Sequence, residues 1–87
     1  MPVITLLTDF QLQDAYASIL HGVILSINPA AVIVDITHLV PPQDIDAAAM
    51  ILQQAYRYFP TGSIHVVVVD PGVGTERRMV AVRTEMG

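Results

Sequence analysis

The stretch that decides the fold is Ile64–Gly74, which reads Ile-His-Val-Val-Val-Val-Asp-Pro-Gly-Val-Gly. Four consecutive valines are typical of a strand that is covered on both faces of a parallel sheet. An acidic residue and two glycines follow at once, where such a strand would end. Ligands of open α/β sheets bind at the carboxyl ends of the strands. The segment therefore predicts a central strand and the edge of the sheet that carries a site.

On either side of this segment, short runs of β-branched residues alternate with amphipathic stretches, which indicates βαβ units. We predict strands at 3–7, 31–36, 64–69 and 79–84, with helices at 15–26 and 45–58. Asp14 and Asp44 are suitable residues to cap the two helices. The expected fold is α/β, a three-layer βαβαβ arrangement with a mostly parallel sheet and right-handed crossovers. The first helix should bury an apolar stripe of Tyr16, Ile19, Leu20, Val23, Ile24 and Ile27.

The composition of this 87-residue chain is unusually apolar for one small domain, with 53% hydrophobic and 14% charged residues. A small domain has much surface to cover, so the excess suggests faces covered by further chain or by partner subunits. The alternative is a tightly packed α/β core whose strands are apolar on both faces. No closing helix follows the last predicted strand, which would leave an open sheet edge. We therefore interpret residues 1–87 as an incomplete N-terminal α/β domain.

Charge and residue usage argue against several classes of function. The net charge is −4 with only four Lys and Arg, which does not fit nucleic-acid binding. The chain lacks cysteine, and its beginning does not resemble a signal peptide, which fits a cytoplasmic protein. Its apolar runs are shorter than the roughly 20 residues of a membrane helix. The three histidines show no metal-ligand spacing, so we expect no metal site.

Polar residues follow several of the predicted strands and should meet at one edge of the sheet. Asp9 could accept hydrogen bonds from a ribose diol, or it could close an Asx-turn in its own loop. Asp35 lies inside an apolar strand, where we expect a buried carboxylate with a structural hydrogen-bonding role. His38 is expected to anchor its loop, and we expect structural roles for the other two histidines, His21 and His65.

The loop from Asp70 to Arg78 is the most informative segment for chemistry. It lacks the Gly-Lys-Ser/Thr ending of a phosphate-binding loop, and it does not open a helix as a dinucleotide fingerprint does. Asp70 and Arg77 frame the loop and could orient a water molecule between them. The alternative is a loop-closing salt bridge, worth at most about 1 kcal/mol if exposed.

Five motifs follow one another along the chain. They are Thr-Asp-Phe (8–10), Gly-Val-Ile-Leu-Ser-Ile-Asn-Pro (22–29), Ile-Val-Asp-Ile-Thr-His (33–38), Pro-Pro-Gln-Asp-Ile (41–45) and Val-Val-Asp-Pro-Gly-Val-Gly-Thr-Glu-Arg-Arg (68–78). In this order they resemble the S-adenosylmethionine hydrolases, also called SAM hydroxide adenosyltransferases, which are related to the adenosyl fluorinases and chlorinases. The resemblance implies attack of water or hydroxide on the ribose C5′ of S-adenosylmethionine, giving adenosine and methionine without a metal or organic cofactor.

The resemblance also implies roles for individual residues. Asp70 and Arg77 match the first two members of an Asp–Arg–His set that handles the water, and the histidine would lie beyond Gly87. Asp9 matches the carboxylate that binds the ribose diol, and Asp14 resembles a position near the methionine end of the substrate. The halogenating relatives carry an aromatic residue in place of Asp70, which favours water over halide as the nucleophile.

This chain has Gln11 where the family usually has glycine after Thr-Asp-Phe. If that position has a positive φ, a glutamine there costs about 1 kcal/mol or more. The first loop, and with it the ligand contacts of Asp9 and Asp14, could then differ from those of the family.

Members of the family are typically homotrimers, with each site between one subunit's N-terminal domain and a neighbour's C-terminal β-barrel, which this sequence does not contain. We therefore expect that these 87 residues alone neither turn over S-adenosylmethionine nor bind it tightly. Other interpretations are a non-catalytic nucleoside-binding module and a structural fragment. A metal-dependent phosphohydrolase that uses Asp9 and Asp70 is a weaker alternative.

Overall fold

A computed structural model describes residues 2–11, 15–69 and 78–83, the last range by its backbone alone. The predicted strands and helices are confirmed to within a few residues at their ends. Among the described residues, no helix has the length and hydrophobicity that crossing a membrane requires. In chain order, the elements are β1 (Val3–Thr8), α1 (Tyr16–Ile27), β2 (Val32–Thr37), α2 (Ile45–Ala55), a 3₁₀ turn (Tyr56–Tyr58), β3 (Ile64–Val69) and β4 (Arg78–Arg83).

The four strands form one sheet in the order β2-β1-β3-β4. β1 pairs in parallel with both β2 and β3, so the prediction of a mainly parallel α/β sheet is confirmed. The valine-rich β3 is an internal strand, as its sequence predicts. β4 is antiparallel to β3. Residues 70–77 are too few for a crossover, which needs about a dozen residues to return a strand in parallel.

The two helices cover opposite faces of the sheet. Leu7 of β1 packs in one buried cluster with Ala48 of α2 and Val69 of β3. The preceding residue of β1 pairs with Asp35 of β2, and successive side chains of a strand point to opposite faces. Asp35 contacts His21 of α1, so α1 lies on the face away from α2. The expected three layers are therefore present.

The orientation of α1 about its axis differs from the prediction. Four members of the predicted stripe are exposed: Tyr16, Ile19, Val23 and Ile27. The half-buried residues of the helix are spaced three and four positions apart, like the predicted stripe, but they lie about a quarter of a turn around the helix axis from it. On that side, His21 contacts Asp35 of β2. An apolar pattern that extends around much of a helix does not select one orientation. The half-buried residues of α1 are Ala17, Leu20, His21 and Ile24.

The two helices begin differently. Asp44 caps α2 as predicted, since its Oδ1 accepts a hydrogen bond from the Ala47 amide at 2.8 Å. The N-cap position of α1 is Ala15, one residue later than predicted, and it makes no side-chain cap. Asp14 lies outside the described residues. The second helix ends at Ala55 and continues as the 3₁₀ turn, so it is shorter than the predicted 45–58.

Candidate functional site at the carboxyl edge of the sheet

The carboxyl end of β1 holds Asp9 in a buried position between strands. The Asp9 amide donates a hydrogen bond to the Val68 carbonyl at 3.2 Å, which extends the pairing of β1 with β3 by one residue. Asp9 is only 7% exposed, and Thr8 before it is fully buried. The sequence prediction that Asp9 lies at the carboxyl edge is thereby confirmed. A carboxylate held there can accept hydrogen bonds from a ligand that covers the edge.

Hydrogen bonds join the end of β1 and the loop after it to the loop after β2. The Gln11 amide donates to the His38 carbonyl at 2.7 Å, and the Val40 amide donates to the Thr8 carbonyl at 3.2 Å. The Gln11 side chain adds a third bond, from Nε2 to the Val40 carbonyl at 2.6 Å. Residues on both sides of Asp9 are therefore held by the same neighbouring loop.

Gln11 has φ of 61°, in the left-handed region that favours glycine. The backbone strain that the sequence suggested for a glutamine at this position is therefore present, at a cost of about 1 kcal/mol. The side-chain hydrogen bond to Val40 is available only because the residue is not glycine. Since such a bond contributes about 1 kcal/mol, it offsets the strain.

A chain of polar side chains leads from Thr8 towards the surface. Thr8 Oγ1 lies 2.7 Å from His38 Nδ1, and His38 Nε2 lies 2.8 Å from Asp35 Oδ1. His21 Nε2 contacts the same Asp35 oxygen at 2.9 Å. The ring of Phe10 stacks on the His38 ring, with centroids 6.1 Å apart and an angle of 5°. His38 thus anchors its loop, as predicted.

Asp35 has the predicted hydrogen-bonding role, but the prediction that it is buried was wrong: its side chain is 43% exposed. β2 is an edge strand, so one flank of Asp35 faces solvent. Partial burial raises its pKa, but hydrogen bonds and charge interactions with His21 and His38 outweigh this. The net pKa of Asp35 lies below its ordinary value of 3.8. A cavity of about 290 Å³ adjoins the cluster, lined by Ala17, Ser18, His21, Asp35 and His38.

His65 has a structural environment on the other face of the sheet. It is almost fully buried, its Nδ1 lies 2.6 Å from Thr5 Oγ1, and the Phe59 ring meets it edge-on. Within the described part of the chain, its Nε2 has no hydrogen-bond partner. Burial lowers the pKa of His65 below its ordinary value of 6.5, because the charged imidazolium would lose its hydration there.

The remaining predicted site residues, Asp14, Asp70 and Arg77, lie outside the described residues, and their roles stay predictions. Sequence reasoning missed the part that Thr8 plays at the site. A hydroxyl residue next to Asp9, with a histidine after the neighbouring strand, was the available signal. Among the described side chains, no group of three or more His, Asp or Glu could hold a metal ion.

Comparison with known sequences identifies the family of this chain. Residues 4–87 match the family model described as the SAM hydroxide adenosyltransferase N-terminal domain. The chain belongs to this family. The match extends over nearly the whole sequence, so the resemblance seen in the motifs is confirmed.

Named relatives and solved structures agree with this assignment. The chain is 44% identical over 86 residues to an (R)-S-adenosyl-L-methionine hydrolase of Salinispora arenicola, covering 99% of this chain and 33% of the relative. It is 33% identical over 82 residues to a fluorinase of an Actinoplanes species, covering 94% of this chain and 28% of the relative. A crystal structure of a conserved hypothetical protein from Thermus thermophilus matches with a TM-score of 0.75 at 44% identity, covering 90% of this chain and 33% of that one. The chain thus spans about a third of the length of these proteins.

Proposed function

We propose that this chain forms the N-terminal, ribose-binding part of an S-adenosylmethionine hydrolase. The observation that carries the proposal is the buried Asp9 at the carboxyl edge, in a chain whose family includes relatives named for this activity. Asp9 would accept hydrogen bonds from both hydroxyls of the ribose diol. Two charge-assisted bonds of this kind orient a nucleoside as well as hold it.

The proposed reaction is a substitution at the ribose C5′. A water oxygen forms a bond to C5′, and the bond from C5′ to the sulfonium sulfur breaks, with its electron pair staying on sulfur. Methionine leaves as a neutral thioether, adenosine is formed, and the water gives up one proton. Because the leaving group needs no protonation, the enzyme's tasks are alignment of the water and removal of its proton.

Asp70 and Arg77 are the residues we propose for these tasks, on the strength of the motif they share with the family. Asp70 follows the last residue of β3 in the sequence, and β3 pairs with β1, the strand that Asp9 follows. A carboxylate at this position would accept the water's hydrogen, and Arg77 would hold the carboxylate ionised. Asp14 would lie towards the methionine end of the substrate.

Assembly and location are further parts of the proposal. The relatives are about three times as long as this chain, and we propose that the active enzyme pairs residues 1–87, as a partial N-terminal domain, with a C-terminal β-barrel of a neighbouring subunit in a homotrimer. A third catalytic residue, a histidine, would come from sequence beyond Gly87. We propose a cytoplasmic enzyme that uses no cofactor and has S-adenosylmethionine as its ligand.

A hybrid enzyme tests the proposal. Residues 1–87 replace the matching third of the Salinispora arenicola hydrolase, and adenosine and methionine are quantified by liquid chromatography. We expect equal amounts of both products, and no halogenated nucleoside when fluoride or chloride is added. Asp70→Ala and Arg77→Ala should each lower kcat by about a hundredfold or more. Arg57→Ala, an exposed arginine in the 3₁₀ turn, is the matched control and should leave kcat unchanged.

Other outcomes would contradict specific parts of the proposal. Binding of adenosine without release of methionine would favour a non-catalytic nucleoside-binding module. Loss of activity on addition of a chelator would favour a metal-dependent reaction. Adenosine release by the 87 residues alone, abolished by Asp70→Ala, would show that no further domain is needed.

A further inference from the structure

The side-chain contacts of His38 are directional, and they determine how the residues around Asp9 are held. The Asp35 carboxylate can only accept hydrogen bonds, so the hydrogen on the neutral imidazole lies on Nε2, 2.8 Å from Asp35 Oδ1. Nδ1 is then an acceptor, and the Thr8 hydroxyl donates to it at 2.7 Å. The same hydroxyl oxygen accepts a hydrogen bond from the Phe10 amide at 3.2 Å. The His38 ring and the Thr8 hydroxyl therefore each donate one hydrogen bond and accept one.

These contacts surround Asp9 on both sides along the chain. Thr8, the residue before Asp9, donates a hydrogen bond to His38. Phe10, the residue after Asp9, donates its amide hydrogen bond to the Thr8 hydroxyl, and its ring stacks on the His38 ring. Thr8 is fully buried, and His38 is the acceptor of its hydroxyl. Loss of that acceptor would leave a buried donor unsatisfied and release the turn that carries Asp9.

We propose that His38 is a positioning residue for ribose recognition: through Thr8 it sets the orientation of the Asp9 carboxylate, and Asp35 holds His38 in the required tautomer. This inference rests on the proposed function, because it assumes that Asp9 binds the ribose diol. His38 itself does not contact the nucleoside in this proposal. His21 lies on the far side of Asp35 and takes no part in it.

Binding of adenosine and of 2′,3′-dideoxyadenosine to the hybrid enzyme, measured by calorimetry, tests the inference. The unmodified hybrid should prefer adenosine by about tenfold or more, since a charged acceptor contributes that much to a hydrogen-bonded diol. Thr8→Val, which removes the hydroxyl at nearly constant volume, should abolish most of this preference. It should weaken adenosine binding while leaving the dideoxy analogue's affinity within about twofold. A general loss of structure would instead weaken the binding of both nucleosides equally.

Three further variants make the test specific. His38→Asn keeps an acceptor near the Nδ1 position and should retain most of the preference for adenosine, whereas His38→Ala should lose it. His21→Asn is the matched control and should bind both ligands as the unmodified hybrid does. Circular dichroism verifies that each variant is folded.

The outcomes separate the inference from the proposed function. If the unmodified hybrid does not distinguish the two nucleosides, the role of Asp9 in the proposed function is wrong and the inference falls with it. If the unmodified hybrid prefers adenosine but folded Thr8→Val and His38→Ala retain that preference, the proposed function stands and the inference is refuted. Equal weakening of both ligands also refutes it.

Discussion

Replacing Gln11 and Gln43, which both have positive φ, separates the cost of backbone strain from the contribution of a side-chain hydrogen bond. Gln11 and Gln43 have φ of 61° and 66°. The Gln11 side chain donates to the Val40 carbonyl at 2.6 Å. Gln43 is exposed, and no hydrogen bond of its side chain is seen among the described residues. It precedes Asp44, whose amide bonds to the Pro41 carbonyl, so it occupies the turn position that glycine favours.

The expected magnitudes follow from these contacts. Glycine relieves about 1 kcal/mol of strain at either position, whereas alanine relieves almost none. Either substitution of Gln11 also removes one side-chain hydrogen bond, worth about 1 kcal/mol. Gln11→Gly should therefore be nearly neutral, and Gln11→Ala should destabilise the chain by about 1 kcal/mol. Gln43→Gly should stabilise it by about 1 kcal/mol, and Gln43→Ala should be nearly neutral.

Urea unfolding of the 87-residue chain, followed by far-ultraviolet circular dichroism, measures these differences. With an m-value of about 1 kcal/mol/M for a small domain, 1 kcal/mol shifts the midpoint by about 1 M. The reasoning is refuted if the two glycine variants shift the midpoint equally, since the Gln11 hydrogen bond would then contribute nothing. It is also refuted if glycine and alanine are equivalent at both positions, since neither residue would then be strained.

Two further predictions concern the second helix and the buried histidine. Asp44→Ala should lower the free energy of unfolding by about 1 kcal/mol, because the Ala47 amide loses the hydrogen bond to Asp44 Oδ1 at 2.8 Å. Asp44→Asn can still accept this hydrogen bond and should retain most of the stability. Equal losses in the two variants would argue against capping. For His65, burial lowers the pKa, so the folded chain binds fewer protons than the unfolded chain and stability should decrease as pH falls below 6.5 towards the lower folded pKa. Urea midpoints between pH 5 and 7.5 should depend less steeply on pH in His65→Gln than in the unmodified chain. An equal pH dependence in both chains would contradict a lowered pKa of His65.

The type and approximate bounds of each element could be predicted from the sequence. β-branched runs such as that of β3 and the Asp44 cap are local signals, since they depend on residues a few positions apart. The internal position of β3 followed from its four valines, because such a run has no polar side to turn to water. The antiparallel direction of β4 was not predicted, although residues 70–77 are too few for a parallel crossover.

The candidate site was only partly predictable. Asp9 and His38 were placed at the carboxyl edge because both follow strands of a parallel sheet. Their connection through Thr8 was not predicted, since Thr8 and His38 are 30 positions apart and meet only because β1 and β2 are neighbours. The unusual backbone at Gln11 was suggested by the glycine that the family has there, but its bond to Val40 was not.

The sequence by itself determined the alternation of strands and helices, the internal β3 and the edge of the sheet at which polar residues collect. Only the tertiary structure decided which side of α1 faces the sheet, that Asp35 is exposed, and which side chains hold the turn around Asp9. The physical reason is that periodicity and capping act within one element, whereas a buried hydroxyl or an imidazole takes its partner from whichever strand and loop lie beside it. That neighbour is set by strand order, which depends on the packing of the whole sheet.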